Sequence, residues 1–258
     1  MFFNSNYRML RSMKYESDQQ GIMKRYINES DGWKAHIENS RNTIIKYAEN
    51  KGRKNCAILG SGWLLDVPIE FLSQNFEKVY LFDILHPNQI KHKAKQLKNV
   101  VCVNLDVTGD VVHECFNAIQ YFKSVKKAYP LENIEIKGFT YHVEFDYIVS
   151  VNILNQLDIL MIDYLKPYNI YSDEELSKFR CRIQQQHFDS LPIGKSCLIT
   201  DIEEHVLSFD NKPEDIKNLI FIELPTDKLK DSWDWNFDSH QNYIPGKNVV
   251  FKVQAYEL

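Results

Sequence analysis

Two glycines, Gly60 and Gly62, close a short apolar run in "CAILGSGWLLDVPIEFL". Glycine lets a backbone reach positive φ and lets a ligand come close. About 20 residues on, the next apolar run, "KVYLFD", ends in Asp83, at the distance from which a carboxylate accepts both ribose hydroxyls of a nucleotide. A third run, "NVVCVNLD", ends in Asp106, placed to accept an adenine amino proton, and Ile84 beside Asp83 can lie against the adenine face. A fourth, "FDYIVSVNIL", carries Ser150 and Asn152, which share one face because strand side chains alternate. Candidate proton carriers follow: His187 in "QQQHFDSLPIGK" and His205 in "TDIEEH". Asp201, Glu203 and Glu204 stand beside His205; they read as a solvated loop, with an oxygen-ligated metal as the alternative.

The elements that must position these residues alternate. Strands are expected at 55–60, 78–83, 99–106, 145–154 and 195–202, with helices between them, including one long helical stretch from about Leu157 to Ser190. Two late strands, "NLIFIEL" and "NVVFKVQAYEL", have no clear helix between them, so the last is expected to run antiparallel to its neighbour. Alternation of this kind predicts an α/β fold with a mostly parallel sheet covered on both faces. Residues 1 to about 20 show no period and are expected to be partly disordered, whereas Asp31–Asn50 carries a helical stripe of Trp33, Ile37, Ser40, Ile44 and Ala48. One organisation follows: a helical N-terminal extension over 1–52 and one catalytic domain over 53–258. The segments 121–142 and 157–190 are long enough to build a lid.

Composition narrows the classes. Of 258 residues, 44% are hydrophobic and 26% charged, with a net charge of -4, which is ordinary for a soluble protein and argues against a broad nucleic-acid footprint. Five scattered cysteines without a CxxC suggest a reducing, cytoplasmic setting. No signal-peptide pattern and no membrane-length apolar run are present, so no membrane partner is expected.

The stretches "AILGSG", "VYLFDI", "VVCVNLDV", "FDYIVSVNIL" and "SCLITDIEE", in that order, resemble the class I S-adenosylmethionine-dependent methyltransferases over roughly Asn55–Asp201. That resemblance implies a three-layer Rossmann-like sheet with an antiparallel last strand, S-adenosyl-L-methionine as cofactor and methyl transfer as the activity. It implies that Gly60, Ser61 and Gly62 meet the methionine part, Asp83 and Ile84 the ribose and adenine, and Asp106 and Val107 the adenine edge. Ser150 and Asn152 would then stand near the methyl group, with Asn152, His187 and His205 as candidates for orienting or deprotonating a small-molecule acceptor. Two positions depart from the family: its acid two residues before the first glycine is Ile58, and its third glycine is Leu64. Asp66 is a substitute partner for the methionine amino group, or else a helix cap. An NAD-dependent oxidoreductase is the alternative enzyme, opposed by Leu65 where the dinucleotide fingerprint needs its third glycine. A catalytically inactive binding protein of the same fold is the other alternative. Trp33 and His36 either pack in the core or cover the cofactor, and Trp233 and Trp235 either line a pocket or cap the sheet edge.

Overall fold

The computed structural model describes residues 3–258. β1 (Asn55–Leu59), β2 (Lys78–Asp83), β3 (Val100–Asn104), β4 (Tyr147–Val151) and β5 (Ser196–Leu207) pair in parallel in the order β3-β2-β1-β4-β5. β8 (Asn248–Glu257) runs antiparallel against β5, and β7 (Leu229–Asp238) antiparallel against β8, which completes the path as β5-β8-β7. The last strand is therefore the reversed one, as the resemblance implies. β6 (Pro213–Asn218) forms a short exposed ribbon on the extended end of β5.

Alternation along β1 shows why two helical layers are needed. Cys56 and Ile58 enter one core, while Ala57 and Leu59 enter the other. The first core is closed by α3 (Ser30–Ala48), α4 (Ile69–Asn75) and α5 (Asn88–Gln96). The second is closed by α6 (Val111–Val125), α7 (Ile159–Leu165) and α8 (Asp173–Asp189), joined by α1 (Phe3–Ser12).

Three expectations are corrected. The N-terminal stretch is helical: α1 and α2 (Tyr15–Asn28) are ordered, and Met9, Leu10 and Met13 are buried in the α6–α8 core. The long helix over 157–190 divides, because Pro167 cannot continue α7 and Asn169 turns left-handed at φ 52 before α8 starts. "NLIFIEL" is not a strand beyond Asn218; its backbone is held by one buried side chain, with Gln184 Oε1 accepting from Phe221 N (2.8 Å) and Gln184 Nε2 donating to Leu219 O (3.0 Å). The strand lies instead in the following segment and carries Trp233, Trp235 and Phe237.

α8 begins with a capping box: Ser172 Oγ accepts from Glu175 N, and Glu175 Oε2 accepts from Ser172 N at 2.8 Å. Ser172→Ala should lower stability by about 1 kcal/mol in urea unfolding with an unchanged m-value.

Candidate functional site

The chain runs outward from β1 to β3 and then returns to β4 on the other side of β1, so the sheet's switch point lies between β1 and β4. Ligands of open α/β sheets bind beyond the carboxyl ends of the strands at that point. A cavity of about 660 Å³ sits there, within the range of small-molecule sites. Gly60, Ser61, Gly62, Asp83, Ile84, Asp106, Val107 and Asn152 all lie on its wall.

The two glycines serve different ends. Gly60 has φ 76, and a Cβ there would stand 2.8 Å from the Ile153 side chain, so its smallness is demanded by internal packing. Gly62 has φ 44, and the atom nearest to a Cβ there would be Gly60 O at 3.8 Å, which leaves room for close approach by a ligand. Leu64 adopts φ 56, a left-handed backbone at a steric cost that glycine would avoid.

Asp83 holds the turn from below. Its Oδ2 accepts from Gly62 N at 2.8 Å and its Oδ1 from Leu85 N at 3.2 Å. Burial raises its carboxyl above the usual range, against His86 and the backbone N–H groups. Ser61 Oγ lies 3.1 Å from His86 Nε2, and His86 Nδ1 lies 2.8 Å from Asn104 Oδ1, which ties the turn to the end of β3. A carbonyl oxygen only accepts, so Nδ1 donates to Asn104 Oδ1. Asp106 accepts from Thr108 N (2.9 Å) and Val112 N (3.0 Å), so it also closes its own loop onto α6. Burial raises its pKa as well.

α2 crosses above the turn. Trp63 Nε1 donates to Gln19 O at 2.7 Å, and the Gln19 amide donates to Leu85 O. Of the two expected lid segments, the 157–190 stretch reaches the wall through Leu157, Ile159, Leu160, Ile162, Asp163, Lys166 and Arg180, whereas no residue of 121–142 does.

Asn152, at φ 49, connects both halves of the cavity. Its Nδ2 donates to Asp66 Oδ2 at 2.6 Å and lies 2.9 Å from His36 Nε2, while Trp233 Nε1 donates to His36 Nδ1 at 3.2 Å. An indole only donates, so a neutral His36 keeps its proton on Nε2, facing the amide. That N–H gains an acceptor when the Asn152 amide turns over, and Asp66 must then carry a proton to serve the same oxygen. The amide orientation and the Asp66 proton are one linked choice. Burial favours the protonated form by raising the Asp66 pKa, and it pushes His36 down to about 3, so the imidazole is neutral.

Asp66 does not cap α4, which starts at Ile69. Ser150, His187 and His205 are not brought to the cavity wall. Ser150 and His187 are buried against each other at 2.8 Å, and burial holds His187 down to about 4. His205 pairs with Glu203 at 2.7 Å. The histidine on the wall is His36, one of the pair expected either to pack in the core or to cover the cofactor; it stacks on Trp235 at 3.9 Å and 10°. Its legible signal was the pairing of Trp33 and His36 on one helical face with Trp233 and Trp235 on one strand face.

β5 extends past the end of β4 and adds Asp201 and Glu204 to the wall. Asp201 Oδ2 accepts from Asn155 Nδ2 at 3.2 Å, and burial pushes its carboxyl up to about 7. Among the described residues, no three His, Cys, Asp or Glu side chains are grouped to hold a metal ion, and no helix is long and apolar enough to cross a membrane.

No family model and no curated protein matches this chain. Similar solved structures include DhpI in a complex with SAH (11% identity, TM-score 0.37, 93% of this chain and 95% of that one). Another is the 1,6-didemethyltoxoflavin-N1-methyltransferase of Burkholderia thailandensis with bound 1,6-didemethyltoxoflavin and S-adenosylhomocysteine (11%, TM-score 0.38, 95% and 90%). A third is an rRNA methylase from Streptococcus thermophilus (12%, TM-score 0.36, 86% and 96%).

Proposed function

We propose that this chain transfers a methyl group from S-adenosylmethionine to a small-molecule acceptor. The observation that carries the reading is the open side of Gly62 directly above the Asp83 carboxylate, on the wall of a cavity at the switch point. The two Asp83 oxygens accept from backbone N–H groups and keep further lone pairs for a ribose diol. In the same reading Ile84, Asp106 and Val107 surround the adenine, and Asp66 faces the methionine ammonium. The cofactor, when bound, supplies an electrophilic methyl group on a sulfonium.

The chain's own part is positioning and exclusion of water. α2 covers the glycine turn, and Trp33, Trp235 and Phe237 wall the far end. Asn152 orients the acceptor through its amide. His36, rather than His187 or His205, is the histidine on the cavity wall, and its depressed pKa keeps the imidazole neutral.

Calorimetric titration with S-adenosylmethionine, S-adenosylhomocysteine and NAD tests this directly. Micromolar binding of the two adenosyl-sulfur ligands with no heat from NAD is the expected result. Binding of NAD alone would transfer the site to the oxidoreductase alternative, and heat from none of the three would reduce the glycine turn to a structural corner.

A further inference from the structure

Beyond Asn152 the cavity wall changes character. Asp201 is 1% exposed, and its Oδ1 has no hydrogen-bond partner among the described residues. A buried carboxylate oxygen left unmatched costs free energy, so it is normally paired. The charged group acting on Asp201 is Asp66, of the same sign, and the cation acting on Asp66 is Arg41, a weak influence beside burial and the Asn152 bond. Two carboxyls thus share one end of a cavity, and the cations on its wall, Arg25, Lys166, Arg180 and Lys217, are not among the charges acting on Asp201. Glu204 adds a third acid on the same strand, with Lys217 as its counter-charge.

The same wall is also aromatic, and Trp235 lies in register with Glu204 across β8. Trp33 and Trp235 meet edge to face at 4.8 Å, and Trp235 meets Phe237 at 5.0 Å and 90°. Aromatic faces attract cations through their quadrupole, and most strongly where water is excluded. Buried acid and aromatic rings on one cavity wall are the chemistry that holds a cation, as the Phe237 ring already holds Arg25 at 4.9 Å. It is poor chemistry for an anionic acceptor, which would face repulsion from Asp201 and Asp66.

We propose that Asp201, together with Asp66 and the Trp33 and Trp235 rings of the same cavity wall, forms the acceptor subsite and takes a cationic amine attached to an apolar or aromatic body. This rests on the methyl-transfer reading and names its substrate class. Asp201 also has a proton to receive there. A protonated amine has no free electron pair, so one N–H bond must break and an O–H bond form at Asp201 Oδ1, leaving the pair on nitrogen. With its carboxyl pushed up to about 7, Asp201 can accept that proton near neutral pH.

The test is a set of matched probes titrated calorimetrically at pH 8 into protein saturated with S-adenosylhomocysteine, whose own ammonium then occupies Asp66. The probes are 2-phenylethylamine, 2-phenylethanol and 3-phenylpropionate, alike in ring and differing in charge. The amine should bind at least tenfold more tightly than either of the others. Asp201→Asn, which keeps the shape and removes the charge, should weaken the amine at least tenfold and leave the alcohol unchanged. Glu203→Gln, off the cavity wall, should change neither. Equal binding of the three probes, binding of none, or an amine affinity indifferent to Asp201→Asn overturns the subsite. If that variant does not fold, the wild-type preference among the three decides alone. The cofactor reading fails separately: should S-adenosylhomocysteine give no heat, the same titration on the protein alone still tests the amine.

Discussion

Asp83→Ala should abolish measurable binding of S-adenosylhomocysteine, weakening it by at least about a hundredfold. Two hydrogen bonds from a ribose to a carboxylate are worth about 1.5–3 kcal/mol each, and each 1.4 kcal/mol is tenfold in affinity. The substitution also orphans Gly62 N and Leu85 N, which Asp83 now satisfies at 2.8 and 3.2 Å. Each buried N–H left unmatched costs about 1–3 kcal/mol, so a thermal melt must accompany the titration. Asp83→Asn separates the two effects, because its amide oxygen can still accept from one backbone N–H while the charge is gone. The expected outcome is a melt close to wild type with affinity still reduced more than tenfold. A folded Asp83→Asn protein that binds as tightly as wild type would remove the ribose role. The pH dependence has a definite sign. Because burial raises the Asp83 pKa, the ionised acceptor is lost earlier on acidification than for an exposed aspartate, and adenosyl affinity should fall as the pH drops.

Much of this cavity was legible because strand ends announce themselves. β1 to β4 are short apolar runs, and the residues that close them reach the wall without any long-range information: Gly60 and Gly62, Asp83, Asp106 and Asn152. What lay beyond the pattern was which face a residue takes once helices and loops are packed. His187 sits at the end of a helix, and nothing in "QQQHFDS" says whether its ring meets the cavity or the sheet; in the fold it meets Ser150 from the sheet's other side. Asp201, Glu203, Glu204 and His205 looked like one solvated cluster. They are a strand with a bulge between Asp201 and Glu203, which sends Asp201 and Glu204 to the wall and leaves Glu203 and His205 to pair off it.

The misread strand carries the same lesson in another form. "NLIFIEL" is a run of apolar residues that reads as a buried strand, yet Leu219 O and Phe221 N bond to the side chain of Gln184, which no local pattern can foresee. The true strand, "LKDSWDWNFD", alternates polar and apolar residues, as a strand with one wet face should. Its polar residues concealed it. α1 and α2 were missed because short helices owe their stability to the surface they bury; Met9, Leu10 and Met13 become informative only once the α6–α8 core exists to receive them.

The largest stability loss should come from Trp33→Ala. Trp33 is 3% exposed, stacks on Phe237 at 5.5 Å, meets Trp235 at 4.8 Å, and donates its indole N–H to Phe237 O at 2.9 Å. It is the bolt between α3 and the edge strand β7, and truncating a buried tryptophan costs about 3–5 kcal/mol. Trp33→Phe should lose less, since a ring still fills much of the space, while the Phe237 carbonyl goes unmatched at about 1–3 kcal/mol. Urea unfolding followed by far-ultraviolet circular dichroism measures both, and a Trp33→Ala loss below about 1 kcal/mol would refute the role, because only exposed sites are so tolerant. A second tie at the same joint explains why α3 should stay near β7 even then. Burial pushes the Glu29 carboxyl up, but bonds from Ser239 and His240 at 2.8–3.0 Å outweigh it and hold it at about 2. That tie is complete above the ordinary glutamate pKa and is lost as the pH falls through the folded value. Trp33→Ala should therefore be tolerated at pH 7 and fail first in acid, where the second fastening of α3 is released as well.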